Sequence, residues 1–235
     1  MAGSIELRIG FVLLSAVLLA GFALAVLRVT GDGRRAGRAA IGGAVWMGLT
    51  AALAGAGVLR FGPFPPTMLL VFVAVAVIVV RLGRSELGRL LATGLPLAVL
   101  VGFQGFRVLV ELLLHRAYVE GLMPVQMSYA GYKFDILTGI SAVLLGGLLA
   151  RGTVSLGVIR VWNYLGLALL LNVLVIALLS APTPLRLFPN EPSNVWVTQA
   201  PWVWLPAVMV LSALLGHWLL FRRLALEGEP GRPVA

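Results

Sequence analysis

The chain has 235 residues, of which 60% are hydrophobic and only 11% are charged. A soluble domain carries about 25% charged residues, so this composition leaves too few charged side chains to cover a water-exposed surface and predicts a protein embedded in a bilayer. The net charge of +9 comes from arginines in short connectors, which is typical of membrane topology and argues against nucleic acid as a partner. The chain has no cysteine, which excludes disulfides, thiolate metal sites, iron–sulfur clusters and a cysteine nucleophile.

Seven apolar runs follow one another along the chain, and a membrane-spanning helix needs roughly 20 mostly apolar residues. The runs are residues 9–27, 40–59, 67–80, 90–115, 135–150, 158–180 and 201–221. The third run is short and begins just after Pro63, Pro65 and Pro66, so it either extends to Leu82 or does not fully cross. We therefore predict an all-α fold, a polytopic membrane helix bundle of about seven transmembrane helices. This bundle would occupy residues 1–224, and residues 225–235 would form a short cytoplasmic tail.

The positions of the arginines predict the orientation of the bundle. Alternate connectors are rich in arginine, namely residues 28–39, 81–89, 151–160 and the segment from residue 222 onward. The other connectors hold Arg60, then Arg116 and Lys133, then Arg186. The positive-inside rule places the arginine-rich set in the cytoplasm, so the N-terminus lies outside and the C-terminus inside. Because positive charge follows the first run rather than preceding it, that run is predicted to be a helix of the mature protein and not a signal peptide.

The fourth run carries polar residues that are unusual in lipid. Gln104, Arg107, Glu111 and His115 are three or four positions apart, so on a helix they form one stripe roughly 80° wide. A charge near the bilayer centre costs about 2.5–3.5 kcal/mol on insertion scales, so the stripe should face the interior of the bundle. Two interpretations remain open, a functional cavity or a structural network in which Arg107 and Glu111 form an ion pair that pins the helices.

The outer connectors next to this helix supply further candidates. The connector that contains Gln126 leads directly into the fifth run at Asp135, which either joins the site or caps the helix N-terminus. The next outer connector contains Arg186 and several prolines, which favour a rigid loop over a solvated, flexible one. Since the fourth helix runs outward, we expect a cavity that opens to the outside beneath these two loops.

Two patterns concern packing rather than chemistry. Ala142 and Gly146 have the spacing of small residues that lets membrane helices approach closely. Trp196, Trp202 and Trp204 flank the last run and are interpreted as an aromatic belt at the membrane–water interface.

The sequence indicates no cofactor and no metal site. His115 and His217 are expected to lie roughly 20 Å apart along the membrane normal, too far to ligate one haem iron. A copper site formed by His115, Met123 and Met127 is conceivable, although methionine also simply fills apolar gaps. The chain's one lysine, Lys133, lies in a connector, so no lysine is available in a late helix for a retinal Schiff base.

A string of residues between roughly positions 100 and 220 resembles a recurring pattern in uncharacterised bacterial multi-pass membrane proteins. The pattern consists of Phe106-Arg107, Glu111, His115, Pro124 to Met127, Phe134 to Gly139, Ser180 to Arg186 and Asn190 to Pro192. The resemblance implies a protein of the bacterial inner (plasma) membrane. It implies no activity and no ligand.

The leading functional hypothesis is a membrane protein of transporter or receptor type with an outward-facing polar cavity for a small polar or anionic molecule. Arg107 would attract the ligand, Glu111 would hold that arginine or exchange protons, and His115 could titrate near neutral pH. The candidate ligand-binding residues are Gln104, Arg107, Glu111, His115, Gln126, Asp135 and Arg186. One alternative is an enzyme acting on a lipid-linked or periplasmic substrate with Glu111 and His115 as acid and base. The other is a structural subunit of a larger membrane complex, with the outer loops as its docking surface.

Overall fold

The computed structural model describes residues 3–62, 66–131 and 134–227, and within these ranges the chain forms helices and no β-strand. The helices are α1 (Ile5–Thr30), α2 (Gly33–Gly55), α3 (Met68–Arg84), α4 (Glu86–Gly94), α5 (Leu97–Gly102), α6 (Phe106–Val119), α7 (Asp135–Leu149), α8 (Leu156–Leu179) and α9 (Leu211–Glu227). A π-helical segment, Leu205–Val210, leads into α9, and 3₁₀ turns occur at Phe103–Gly105, Val125–Met127 and Trp196–Thr198. The all-α fold class is confirmed. Pro63, Pro65, Lys133 and most of the predicted tail lie outside the described residues.

Four helices of the described chain are long and apolar enough to cross a membrane: Ile5–Thr30, Leu97–Val119, Leu156–Leu179 and Leu205–Glu227. A fifth span results if α3 and α4, which are bent by 69° at Ser85, are counted together. Helix α3 has 17 residues and helix α7 has 15, which gives lengths of about 26 Å and 22 Å against a hydrocarbon core of about 30 Å. The number of about seven spans therefore stays a prediction.

The outward surfaces of the helices are apolar. Val17, Ile41, Leu70, Leu144 and Leu165 come from five different helices, and each is between 60% and 66% exposed. Soluble monomers rarely present so much contiguous apolar surface. Contact with a lipid bilayer provides the apolar solvent that these side chains require.

The connectors that are rich in arginine meet at one end of the bundle. Arg222 donates to the carbonyls of Gly83 and Ser85 at 2.6 and 2.8 Å, and Arg223 donates to the carbonyl of Thr93 at 2.7 Å. These contacts fasten the last helix to the bend between α3 and α4. We call this the arginine-rich end, comprising residues 28–39, 81–95, 151–160 and 222–227.

The opposite end is covered by irregular chain, and we call it the loop end, comprising residues 3–4, 120–131 and 180–204. Ser4 binds the Glu120 carboxylate through its backbone N–H at 2.7 Å and its hydroxyl at 2.6 Å, which joins the start of α1 to the end of α6. Desolvation of the Glu120 carboxylate acts to raise its pKa, but the hydrogen bonds from Ser4 and Arg116 together outweigh this and hold the pKa below its usual range.

The aromatic-belt interpretation is wrong for two of the three tryptophans. Trp196 and Trp202 are buried, with their rings 5.9 and 5.0 Å from the ring of Phe11. Segment 180–204 folds over the end of the bundle, so these rings face the core rather than the lipid interface. Trp204 is partly buried and donates from Nε1 to the Met47 carbonyl at 3.1 Å.

Small residues allow α7 to pack directly against α5 and α6. A Cβ atom added to Gly146 would lie 3.0 Å from the Gly102 Cα, and one added to Gly139 would lie 2.8 Å from the Val108 amide nitrogen. The predicted close approach at Ala142 and Gly146 is confirmed. Because the backbones come this close, the start of α7 is held beside the polar stripe of α6.

Candidate functional site

A buried ion pair joins α6 to α7. Arg107 lies near the middle of the Leu97–Val119 span and is 2% exposed. Its Nε donates to Oδ2 of Asp135 at 2.8 Å, and its Nη2 donates to Oδ1 of the same carboxylate. Asp135 is the first residue of α7, where the helix dipole favours a negative charge. The ion-pair partner of Arg107 therefore lies on the neighbouring helix. The expectation that Glu111, on the same helix as Arg107, would be this partner is wrong.

The other donors of Arg107 reach α8 and α9. Nη2 donates to the Gly166 carbonyl at 3.2 Å, and Nη1 lies 2.9 Å from Nε2 of His217. A guanidinium group can only donate, so Nε2 accepts and the network assigns the proton of His217 to Nδ1. That nitrogen donates to Oδ1 of Asn163 at 2.7 Å, and Asn163 donates back to the His217 carbonyl at 3.2 Å.

The cluster of Arg107, Asp135, Asn163 and His217 thus connects four helices and balances its own charge. Four of the five N–H donors of the Arg107 guanidinium are used: two bind Asp135, one binds His217 and one binds the Gly166 carbonyl. A buried pair is tolerated in an apolar interior only when further hydrogen bonds satisfy both ions, and this arrangement supplies them. Arg107 is consequently not a free positive charge, and an anionic ligand would compete with Asp135 for it.

Two glycines fit closely around this cluster. A Cβ at Gly166 would lie 2.9 Å from both Cε1 of His217 and Cγ2 of Thr138. A Cβ at Gly216 would lie 2.7 Å from Nε2 of Gln104, which donates to the Ala213 carbonyl at 3.0 Å. The absence of side chains at these two positions lets α8 pack closely against α7 and α9, and lets α9 approach the 3₁₀ turn that precedes α6.

The predicted stripe faces the interior over most of its length. Gln104, Arg107 and Glu111 are all buried, and His115 is partly buried. The ring of His115 stacks on Tyr129 with centroids 4.3 Å apart and planes inclined by 19°. The stripe therefore leads from the cluster at mid-span to the underside of the loop end. Ligand binding by these residues stays a prediction.

Two further predicted site residues lie in the loops. Gln126 is buried, and its Nε2 donates to the Ser180 hydroxyl at 3.0 Å, which ties segment 120–131 to the end of α8. Arg186 donates to the carbonyls of Phe188 and Asn190 and to Oε1 of Glu191, at 2.9, 2.8 and 2.8 Å. The structure therefore places Arg186 within its own loop, which it orders, and away from the cluster.

A small cavity of about 50 Å³ lies against the ion pair. Arg107, Asp135 and Asn194 contribute its charged and amide groups, while most of the remaining wall is aliphatic or aromatic. It extends past Leu114 to Met127 beneath the loop end. One buried water needs about 10–15 Å³ of such space, so the cavity has room for a few waters or for a molecule of a few heavy atoms.

The cavity also contains an amide oxygen with no assigned use. Asn194 is 2% exposed; its Nδ2 donates to the Ala177 carbonyl at 2.9 Å, and its Oδ1 is buried and accepts no hydrogen bond from the described residues. A buried acceptor without a donor is costly, so a water or a ligand group in the cavity would satisfy it. Neither in the cavity nor in the rest of the described ranges do three His, Cys, Asp or Glu side chains come together in a way that could hold a metal ion.

Asn163, Gly166 and His217 belong to the cluster but are not among the site residues predicted from the sequence. The signal for His217 was present, because it is an isolated polar residue inside an apolar run. The predicted end of the last helix at residue 221 placed His217 near the membrane surface, whereas the helix continues to Glu227. The six additional residues add about 9 Å of helix and bring His217 to mid-span.

Comparison with known proteins gives a family but no function. No curated protein and no solved structure matches the chain. The family match covers residues 63–225, which include the ion pair, the cavity and both loop segments of the second half. The chain belongs to the family described as a domain of unknown function, DUF8737.

Proposed function

We propose that this chain is a multi-pass protein of a bacterial inner membrane that binds a small polar or anionic molecule, as a transporter or receptor, in the cavity beside Arg107 and Asp135. The observation that carries the proposal is the position of the cavity. It touches both members of a buried ion pair and extends from them toward the loop end. Ionisable residues inside a membrane protein usually mark substrate or ion pathways.

The proposed orientation has about seven spans, an outside N-terminus and a cytoplasmic C-terminus. It is supported by the meeting of the arginine-rich connectors at one end of the bundle, since short cytoplasmic loops carry an excess of arginine. In this orientation the loop end faces outward and the cavity lies in the outer half of the membrane.

The ion pair sets the chemistry of binding. A carboxylate or phosphate that enters the cavity competes with Asp135 for the N–H donors of Arg107, because both are anionic acceptors that suit a guanidinium group. The free Oδ1 of Asn194 offers an acceptor to a ligand hydroxyl or N–H group.

The test uses detergent-purified protein and a panel of small anions, namely acetate, lactate and inorganic phosphate, at constant ionic strength. We expect at least one of them to raise the unfolding temperature saturably, because a ligand that binds the folded state stabilises it. Ala177→Phe should abolish the effect by filling the cavity. Ala168→Phe is the matched control, since Ala168 lies on the exposed face of the same helix.

Two results would contradict the proposal. One is a panel in which no anion stabilises the protein more than chloride does. The other is equal ligand stabilisation of Ala177→Phe and Ala168→Phe, which would place any bound anion outside this cavity.

A further inference from the structure

A second and much larger space lies between the α1–α2 hairpin and the rest of the bundle. This cleft has a volume of about 980 Å³, and its walls come from α1, α2, α3, α4, α5 and α9. Almost all of its lining is apolar, and the hairpin contributes three glycines to it, Gly21, Gly42 and Gly43. The cleft shares no lining residue with the cavity beside Arg107.

Three arginines line the cleft at the arginine-rich end: Arg35, Arg38 and Arg81. Arg35 lies 3.4 Å from the carboxylate of Asp32. Arg38 and Arg81 are exposed, and across the described residues neither side chain has a hydrogen bond or an ion pair. The rim therefore carries positive charge that the described protein does not neutralise.

Beyond the far end of the cleft, two tryptophan hydrogen bonds join α2 to the start of the last span, and Trp46 also lines the cleft. Trp46 donates from Nε1 to the Ala207 carbonyl at 2.8 Å, and Trp204 donates to the Met47 carbonyl at 3.1 Å. Along α9 and the preceding π-helical segment, the lining runs from Ala207 to Leu219, which corresponds to about 18 Å of helix. This depth is close to half of a hydrocarbon core of about 30 Å. The cleft thus matches one leaflet, with its charged rim at the level of the lipid headgroups.

We propose that the cleft binds an anionic phospholipid from the leaflet at the arginine-rich end, with an acyl chain between the hairpin and α9 and the phosphate on Arg38 and Arg81. Arginine is well suited to phosphate because its N–H groups match the phosphate oxygens in pairs. Basic pockets between transmembrane helices are typical of lipid headgroup recognition.

A second copy of the chain fits the cleft less well. Copies that sit side by side in the same orientation would bring the same arginine-rich rims together, and like charges at an interface are unfavourable. A negatively charged amphiphile satisfies both parts of the surface, the apolar wall and the uncompensated arginines.

The experiment compares two lipids with identical acyl chains, dioleoyl phosphatidylglycerol and dioleoyl phosphatidylcholine, added to delipidated, detergent-purified protein. Native mass spectrometry counts the bound lipid, and thermal unfolding measures the stabilisation. We expect preferential binding of phosphatidylglycerol. Arg38→Gln combined with Arg81→Gln should weaken that binding on the order of tenfold, since each arginine near an anionic headgroup contributes appreciably to binding. Glycerol phosphate, which has the headgroup chemistry but no acyl chain, should not compete.

Matched variants separate the cleft from general effects of charge and bulk. Arg34→Gln combined with Arg84→Gln removes the same charge from the same end at exposed positions outside the cleft lining, and should leave the preference intact. Gly42→Trp should abolish binding of both lipids, because Gly42 lines the cleft and an added Cβ meets open space there. Gly48 has the same open surroundings on α2 but does not line the cleft, so Gly48→Trp should bind lipid normally.

Three outcomes would overturn the proposal. They are equal binding of the two lipids by the unaltered protein, normal phosphatidylglycerol binding by Gly42→Trp, and a dimer that Gly42→Trp dissociates. The last result would identify the cleft as an interface between copies of the chain.

Discussion

The ion-pair cluster and the cleft use the same residue type in opposite ways. Arg107 is buried at mid-span and gives its hydrogen bonds to Asp135, His217 and the Gly166 carbonyl. Arg38 and Arg81 are exposed at the arginine-rich end and have no partner among the described side chains. An arginine deep in an apolar interior must bring its own counter-charge, whereas one at headgroup depth can leave that role to the membrane. The comparison predicts different consequences for substitutions in the two regions.

The largest expected effect is that of Asp135→Ala. This change leaves Arg107 buried without its counter-charge, and breaking a buried pair in this way costs about 3–5 kcal/mol. Arg38→Gln should change stability by no more than about 0.5 kcal/mol, as surface substitutions usually do. Equilibrium unfolding of both variants in the same detergent measures the difference. Similar stability of the two variants would contradict the contrast between the regions.

Glycine substitutions give the next largest effect and should have opposite signs in the two regions. Gly166→Ala places a methyl group 2.9 Å from His217 and Thr138, and overpacking of this kind costs about 1–3 kcal/mol. Gly21→Ala points into open space in the cleft and should stabilise the helix by about 0.5–1 kcal/mol. The unfolding temperatures of the two variants therefore distinguish a filled region from an open one. Equal shifts in unfolding temperature would contradict this difference in packing.

Labelling of single cysteines tests which end faces outward, and the chain has no cysteine of its own. Asn190 lies at the loop end and Thr153 at the arginine-rich end, and both are exposed. In intact cells a membrane-impermeant maleimide should label Asn190→Cys but should label Thr153→Cys only after permeabilisation. The reverse labelling pattern would show that the bundle has the opposite orientation in the membrane, with the cavity facing the cytoplasm.

The smallest effect concerns an ion pair that is exposed rather than buried. The hydrogen bond from Arg186 lowers the pKa of Glu191 below its usual value of 4.5, and the Ser193 N–H adds to this. Since the folded-state pKa is lowered, the contribution to stability is present above pH 4.5 and is lost as the pH falls through the folded-state value. Unfolding curves of the unaltered protein and Glu191→Gln should converge below that range. A constant separation at all pH values would rule out this titration.

The fold could be predicted in outline because apolar runs and loop arginines report directly on a bilayer. The interior placement of Gln104, Arg107 and Glu111 followed from helical periodicity and the cost of charge in lipid. The partner of Arg107 could not be deduced in the same way. Glu111 and Asp135 are both carboxylates, and Asp135 reaches the guanidinium because α7 packs closely against α5 and α6 at Gly139 and Gly146, which the spacing of the two carboxylates does not reveal.

The cleft was missed for a different reason. The positive-inside rule accounts for Arg38 and Arg81 by topology alone, and nothing in their spacing shows that α2 and α3 stand apart. An empty space between helices results from how the helices pack, and it produces no periodic pattern of residues in the sequence. The tryptophans illustrate the same limit, since Trp196 and Trp202 have the composition of a membrane belt but are buried by the fold of segment 180–204.

The most direct test of the ion pair's role is the double variant Arg107→Met with Asp135→Leu. Replacing both partners of a buried pair by apolar residues is often neutral or stabilising, so this variant should fold with a stability close to that of the unaltered protein. We predict that it no longer responds to the acetate, lactate and phosphate panel, because the group that receives the anion is gone. A folded double variant that binds the same anion with unchanged affinity would show that the pair only holds the helices together.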